Sequence, residues 1–147
     1  MTDGTPAAGR VLALDLGSRR IGVAVSDAGR SMAFPRPFVA RRGDPGADLE
    51  AVVALVADAE AAVVVVGLPL SLDGSEGPAA RSARDEATRL AEALGGRGVA
   101  VETFDERLTT VSAGSALRQA GVRTRDQRTA IDSAAAAVLL QAWLDRR

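Results

Sequence analysis

The hydrophobic residues of this chain follow two spacings, and each spacing predicts a different kind of element. Short runs that are apolar on both faces are typical of strands inside a sheet, because such strands are covered on both sides. Together with the turn residues, this pattern predicts five strands, at residues 11–16, 21–26, 31–40, 62–67 and 99–104. Pro35 and Pro37 place the third strand at a sheet edge, since proline cannot donate a hydrogen bond to an inner ladder.

Apolar residues at helical spacing predict helices between and after these strands. The predicted helices cover about residues 49–59, 78–94, 109–121 and 128–144. Short connections join the first three strands, which favours antiparallel pairing. Each later strand follows a helix, which favours parallel pairing with a right-handed crossover. The sequence therefore predicts an α/β domain in which helices flank a five-stranded mixed sheet.

The length of the chain indicates its domain organisation. Domains contain about 100–200 residues, so 147 residues are expected to form one domain. Residues 1–9 are small and turn-forming, and they predict a flexible tail before a folded domain at residues 10–147. The tail lacks the order of a signal peptide, and no apolar run reaches the roughly 18 residues of a membrane span. We therefore expect a cytoplasmic protein that does not bind a membrane.

The composition excludes several kinds of catalytic site. The chain contains no cysteine and no histidine, and all 18 of its basic residues are arginine. These absences exclude disulfides, thiolate nucleophiles, Ser-His triads, zinc bound by cysteine or histidine, and a lysine Schiff base. The net charge of -1 indicates that any nucleic-acid site is a local basic patch. Catalysis must therefore depend on carboxylates, hydroxyl groups, arginines and the backbone.

Carboxylates at the ends of predicted elements are the candidates for this chemistry. Asp15 lies in an otherwise apolar strand, where a carboxylate without a partner is strongly disfavoured by loss of solvation. Asp105 and Glu106 close the fifth strand, and Asp132 lies in the first turn of the last predicted helix. Each also has a purely structural interpretation. Asp15 could cap a turn, Asp105 and Glu106 could belong to a solvated loop, and Asp132 could be stabilised by the helix dipole.

These carboxylates are expected to meet at one edge of the sheet, because ligands of open α/β sheets bind at the carboxyl ends of the strands. Crowded carboxylates repel one another, and a hard divalent cation relieves that repulsion through oxygen ligands. A site of oxygen ligands without histidine suits Mg²⁺ or Mn²⁺. Two such ions about 4 Å apart can activate water and stabilise the leaving oxygen in phosphodiester hydrolysis.

Four motifs, in this order, resemble those of the YqgF/RuvX family. They are Asp15-Leu16-Gly17-Ser18-Arg19-Arg20-Ile21-Gly22-Val23-Ala24, Val66-Gly67-Leu68-Pro69 with Asp73-Gly74, Asp105-Glu106-Arg107-Leu108-Thr109-Thr110, and Asp132-Ser133-Ala134-Ala135-Ala136. The resemblance extends over about residues 10–145. Proteins of this family are described as Holliday-junction-resolvase-like and as pre-16S ribosomal RNA nucleases, and the resemblance implies an RNase H-like fold.

The resemblance also implies catalytic, metal-binding carboxylates at Asp15, in the acidic pair and at Asp132, with Mg or Mn as the cofactor. Of the acidic pair we choose Glu106 over Asp105. Adjacent strand residues face opposite sides of a sheet, so the register of the strand decides between them.

Arginines near these carboxylates are candidates for binding nucleic acid, because a guanidinium group can grip a phosphate through two parallel hydrogen bonds. Arg20 follows the first motif strand, Arg107 follows the acidic pair, and Arg128 lies in a basic segment before the last motif. For Arg107 the alternative role is an ion pair with Asp105. The loop at residues 68–77 leaves the same edge, and we interpret it either as a mobile lid over the substrate or as an ordinary connection.

From these features we expect a metal-dependent endonuclease that acts in 5′-end processing of precursor 16S ribosomal RNA. A Holliday junction resolvase acting on branched DNA would use the same site and is the first alternative. A second is a module that binds RNA or the transcription machinery without catalysis. A third is an actin-like or sugar-kinase-like ATPase, but 147 residues leave no room for the second lobe that closes over nucleotide. A homodimer formed through a helix face is compatible with the fold.

Overall fold

The computed structural model describes residues 9–108 and 133–146 of the chain. Within these residues one sheet contains the strands β1 (Arg10–Leu16), β2 (Arg20–Ser26), β3 (Ala33–Ala40), β4 (Ala61–Leu68) and β5 (Ala100–Asp105). The α-helices described are α1 (Pro45–Asp58), α2 (Pro78–Leu94) and α3 (Ala134–Asp145). Short 3-10 turns follow α2 and β5, at Gly95–Arg97 and Glu106–Leu108. No helix in these ranges has the length and apolar character needed to span a bilayer.

The strand order across the sheet is β3-β2-β1-β4-β5. β2 pairs antiparallel with β1 and β3, whereas β4 pairs parallel with β1 and β5. This arrangement confirms the predicted five-stranded mixed sheet. Pro35 and Pro37 lie in β3 at the sheet edge, where their missing N–H groups interrupt no inner ladder. The helix predicted at 109–121 and the tail before Gly9 lie outside the described residues.

Side chains of the central strands alternate between two hydrophobic cores, as the two-residue period of a strand requires. Leu14 of β1 faces α1 and α2, whereas Val11 and Ala13 face α3. On the α3 side the core is closed by Trp143, which is almost fully buried. Because Asp15 continues the series of Val11 and Ala13, its side chain is on the α3 face of the sheet.

The first helix begins earlier than the sequence predicted. The apolar spacing starts near residue 49, but α1 begins at Pro45. The side chain of Asp44 accepts a hydrogen bond of 3.0 Å from the Gly46 N–H, and proline is favourable in the first turn. The spacing of apolar residues identifies the buried face of a helix but gives no information about a polar first turn.

The last helix begins later than predicted, at Ala134 and not near Arg128. Ser133 at its N-cap has a non-helical backbone, with φ -114° and ψ 5°. The buried hydroxyl of Ser133 accepts a hydrogen bond of 3.0 Å from the Val23 N–H of β2, and this tertiary contact fixes the start of the helix. Asp132 is the residue before this N-cap in the sequence. Asp132 and Arg128 are outside the described residues.

The turn between β1 and β2 depends on Gly17, whose N–H donates to the carbonyls of Arg20 (3.0 Å) and Asp15 (3.1 Å). A Cβ at position 17 would lie 2.6 Å from the Arg20 carbonyl oxygen, so only glycine fits without a shift of the backbone. The Gly17 carbonyl in turn accepts a hydrogen bond of 2.7 Å from Nε of Arg41. Arg41 also binds the Glu86 carboxylate of α2 through two hydrogen bonds of 2.9 Å, so the turn is braced against α2.

We predict that Gly17→Ala lowers the free energy of unfolding by about 1–3 kcal/mol, because the added methyl group must displace the Arg20 carbonyl. Urea denaturation of the purified variant measures this change. Gly96→Ala is the matched control, since a Cβ at position 96 has no neighbouring atom within 4 Å. Equal stabilities of the two variants would contradict the steric requirement at the turn.

Candidate functional site

Asp15 and Glu106 meet at the carboxyl edge of the sheet. Asp15 is the last residue but one of β1, and Glu106 follows the last residue of β5, with β4 between the two strands. The three strands are parallel, so their carboxyl ends share one edge. The two side chains are joined by a hydrogen bond. The structure thus brings together two of the three carboxylates selected from the sequence.

The environment of Glu106 favours its protonated form. Partial burial, the negative charge of Asp15 and the hydrogen bond with Asp15 raise the pKa of Glu106 to about 7, with a further contribution from the charge of Asp105. A second ionised carboxylate this close to the first is poorly solvated and is repelled by it. The pair therefore holds a proton near neutral pH, and a cation bound by the same oxygens would take the place of that proton.

Gly67 of β4 provides the space that Glu106 occupies. A Cβ at position 67 would lie 3.0 Å from Cγ and 3.1 Å from Cδ of Glu106, and 3.1 Å from Cδ2 of Leu139 in α3. A side chain at this position would therefore displace Glu106 or Leu139. The motif that contains Gly67 did not by itself indicate this steric role. A glycine that ends a β-branched strand at the ligand-binding edge is the signal that could have identified it.

Asp105, the alternative to Glu106, pairs with Arg107. The closest contact is 2.6 Å, between the Arg107 guanidinium and Oδ2, and the Arg107 Nε lies 3.0 Å from both carboxylate oxygens. The backbone N–H of Arg107 also donates to Oδ1 of Asp105, at 2.9 Å. These hydrogen bonds hold the pKa of Asp105 below its usual value. Of the acidic pair, Glu106 is therefore the residue beside Asp15, and the ion-pair role considered for Arg107 is present.

Arg107 also contacts the loop between β4 and α2. Its guanidinium donates a hydrogen bond of 3.2 Å to the carbonyl of Leu72. Within the loop, Asp73 accepts hydrogen bonds from the N–H (2.9 Å) and the hydroxyl (2.7 Å) of Ser75, and these lower the pKa of Asp73. Of the two interpretations of this loop, these hydrogen bonds fit an ordered connection.

The start of α3 lies against the same end of the sheet. Val23, which donates to the Ser133 hydroxyl, pairs with Leu14 in the β1–β2 ladder. That pair is one position from the pair formed by Asp15 and Gly22. Ser133 is therefore held at the level of Asp15 in the sheet.

Arg20 lies at the same edge, at the start of β2. Its guanidinium carbon is 5.0 Å from the centre of the Phe38 ring, which is a cation–π arrangement over the neighbouring strand β3. Because β2 and β5 lie on opposite sides of β1 and β4, Arg20 and Arg107 flank the pair formed by Asp15 and Glu106.

The donor set of Asp15 and Glu106 fits a hard divalent cation. In the ranges 9–108 and 133–146, no group of three or more Asp, Glu, His or Cys residues lies close enough to hold a metal ion. Mg²⁺, however, is usually held by one or two carboxylates together with water and substrate phosphates. Asp15 and Glu106 are two such adjacent carboxylates, and a cation bound between them would relieve their repulsion. They are therefore suitable ligands for Mg²⁺.

We predict that Glu106→Gln stabilises the metal-free protein at pH 8, by about 1–3 kcal/mol. The pKa of Glu106 is raised on folding, so the folded protein binds more protons than the unfolded chain between about pH 4.5 and pH 7. The wild-type protein accordingly loses stability as the pH rises through this range, whereas the neutral amide does not titrate. Urea denaturation in EDTA across this pH range measures the difference, which is expected to vanish below about pH 4.5.

The control for this prediction is Glu50→Gln, at an exposed position of α1. It is expected to change stability little at either pH. A constant difference between Glu106→Gln and the wild-type protein at all pH values would show that the shared proton is not its cause.

The chain is similar to known proteins over nearly its whole length. The family model described as RuvX, Holliday junction resolvase, matches residues 9–146. A protein of Anaeromyxobacter dehalogenans strain 2CP-C, named "Putative pre-16S rRNA nuclease", is 52% identical over 138 residues, which are 94% of this chain and 98% of that protein. A protein of the same name from Mycobacterium bovis strain BCG / Pasteur 1173P2 is 51% identical over 144 residues, covering 97% of this chain and 82% of its own length.

Solved structures share the fold at low sequence identity. RuvC of T. thermophilus, solved in complex with a Holliday junction substrate, has a TM-score of 0.64 at 15% identity and covers 94% of this chain and 95% of its own. The yeast mitochondrial Holliday junction resolvase Ydc2 has a TM-score of 0.57 at 12% identity, with 92% and 78% coverage. These matches confirm the predicted RNase H-like fold. Since the family model covers nearly the entire sequence, the chain belongs to the RuvX family.

Proposed function

We propose that this protein is a divalent-metal-dependent endonuclease that hydrolyses phosphodiester bonds during 5′-end processing of precursor 16S ribosomal RNA. The observation that carries the proposal is the hydrogen-bonded pair of Asp15 and Glu106 at the ligand-binding edge of the sheet. The names of relatives that are about 50% identical over nearly the whole chain support the RNA substrate.

Asp15, Glu106 and Asp132 are the residues that would hold Mg or Mn. The ion would supply an activated water and stabilise negative charge on the departing oxygen. The burial of Ser133 at the level of Asp15 supports the assignment of Asp132, which is the residue before Ser133 in the chain. Gly67 keeps the path between the two described carboxylates open.

Arginines along the edge would bind and orient the substrate strand. Arg20 and Arg107 flank the carboxylate pair, and both side chains are exposed to solvent. Phosphate groups on either side of the cleaved bond would then lie against a guanidinium group, while the carboxylates face the bond itself. Arg128 is assigned the same role because the sequence places it in a basic segment shortly before Asp132.

A Holliday junction resolvase is the second candidate function. It is favoured by the description of the matched family and by the fold shared with a resolvase solved on its junction substrate. Because both reactions hydrolyse a phosphodiester bond, the same carboxylates would serve either substrate. The two candidates differ in the shape of nucleic acid that the protein binds.

We predict that Asp15→Asn lowers the rate of Mg²⁺- or Mn²⁺-dependent cleavage by at least about 100-fold, because it removes a charged ligand of the ion. Single-turnover cleavage of an end-labelled precursor 16S RNA fragment measures the rate, and a four-way DNA junction at equal salt tests the second candidate. Asp58→Asn makes the same chemical change at the end of α1, just before β4 begins and therefore at the opposite end of the parallel strands. It should leave the rate unchanged.

Full cleavage activity of Asp15→Asn would overturn the proposed mechanism. Nucleic-acid binding that survives EDTA, with no cleavage by the wild-type protein under any metal condition, would instead identify a binding module. Weaker Mn²⁺ binding by Asp15→Asn in titration calorimetry would support the metal site independently of the substrate used.

We predict that Arg107→Ala weakens RNA binding by about 2- to 5-fold, the range expected for one exposed ion pair, whereas Asp105→Ala does not weaken it. The reason is that Asp105 competes with phosphate for the Arg107 guanidinium. Fluorescence anisotropy with a labelled RNA fragment in EDTA measures both affinities. If the two variants lose affinity equally, the ion pair between these residues is structural and Arg107 does not contact phosphate.

A further inference from the structure

A groove of about 810 Å³ lies on the α1 and α2 face of the sheet, opposite to the face that carries the Asp15 side chain. Its apolar lining includes buried core residues, among them Leu14, Val52 and Leu90, and the partly or fully exposed residues Leu16, Pro45, Leu49 and Ala79. None of the described residues that line it is aromatic. Pockets that enclose small ligands have volumes of about 300–1,000 Å³, so the groove is large enough for a nucleotide.

The rim of the groove is polar and carries an excess of positive charge. Arg19 and Arg89 line it, both are exposed, and in the part of the chain that the structure describes neither pairs with a carboxylate. Arg41 also lines the groove, but it forms ion pairs with both Glu86 and Asp48, so these three residues together carry one negative charge. Arg19 and Arg89 contribute two positive charges, and the charged lining therefore has one net positive charge.

The groove and the candidate nuclease site adjoin the same end of β1, on opposite faces of the sheet. Leu16, Gly17 and Ser18 line the groove and follow Asp15 directly in the chain. Side chains of adjacent strand residues point to opposite faces of a sheet. At the end of β1, Asp15 therefore contributes to the nuclease site on one face, and Leu16 contributes to the groove on the other. A nucleic-acid strand bound at Asp15 would have to cross the β1–β2 turn to reach the groove.

We propose that the groove binds one nucleotide of the substrate strand, next to the cleaved phosphodiester. The accessible apolar residues Leu16, Pro45, Leu49 and Ala79 contact the base, Arg19 and Arg89 bind its phosphate, and the hydroxyls of Ser18 and Ser82 offer hydrogen bonds to polar edges of the base. A base that is paired and stacked in a duplex cannot enter such a groove, so the strand must be unpaired at this position. This inference rests on the proposed nuclease function, and it adds a requirement for a single-stranded segment beside the cleaved bond.

The test measures the affinity of a fluorescein-labelled pentauridylate by anisotropy in EDTA, where no cleavage occurs. Arg89→Ala removes a rim charge, and Ser82→Phe places a large side chain at an exposed rim position. Each change is expected to weaken binding by about 2- to 5-fold. Arg89→Ala should also reduce the salt dependence of binding, by about 0.7 in the slope of the logarithm of the binding constant against the logarithm of the salt concentration. Arg97→Ala, an exposed arginine in the 3-10 turn after α2, is the control and should bind like the wild-type protein.

Wild-type affinity in both Arg89→Ala and Ser82→Phe would overturn the inference, and so would equal binding of a fully paired duplex of the same sequence. Circular dichroism verifies the fold of Ser82→Phe, and Arg89→Ala decides the question if that variant does not fold. The outcome is separable from the nuclease proposal. If cleavage depends on Asp15 but the groove variants bind like the wild-type protein, only the groove proposal is rejected. If those variants bind more weakly but the wild-type protein cleaves no substrate, only the nuclease proposal is rejected.

Discussion

The repulsion between two carboxylates at one sheet edge is the constraint on which this site depends. Neighbouring strands are about 4.8 Å apart, so the backbones of β1 and β5, with β4 between them, are separated by about 10 Å at the level of the site. Glu106 spans this gap by passing over Gly67, where a Cβ would collide with its Cγ and Cδ. The missing side chain in the middle strand therefore lets Glu106 reach Asp15. The resulting pair favours a proton or a cation, and this preference is the physical basis of the metal-dependent activity that we propose.

Most of the fold is predictable from the sequence because its strands are defined by burial. A strand covered on both faces must be apolar on both faces, so β1 and β4 are recognisable as continuous hydrophobic runs, and proline identifies β3 as an edge. The ends of helices are less predictable, since they depend on single polar contacts. Asp44 starts α1 through a local hydrogen bond that sequence can suggest, whereas Ser133 starts α3 through a bond to Val23, 110 residues away in the chain.

The candidate site, like the fold, is only partly predictable from the sequence. Asp15 can be found from the sequence because a carboxylate in an apolar strand requires a partner. The choice between Asp105 and Glu106 cannot be made from composition, since it depends on which way the chain turns as β5 ends. Arg107 contributes to that geometry, because its side chain and its backbone N–H both bind Asp105 and leave Glu106 as the residue beside Asp15. A contact between neighbours in the sequence thus selects the residue that makes the long-range contact.

The end of β1 has a different neighbour on each face of the sheet. On the α3 side Asp15 meets Glu106, and on the other side Leu16 faces the groove between α1 and α2. The turn that separates them is held by Gly17, whose backbone makes the hairpin bonds, and by Arg41, which ties the same turn to Glu86 of α2. A rigid turn fixes the distance between the two sides. In the proposed mode of binding, a substrate strand that crossed this turn would meet the carboxylate pair and the groove at a constant separation, which is the geometric condition for cutting at a defined position relative to an unpaired base.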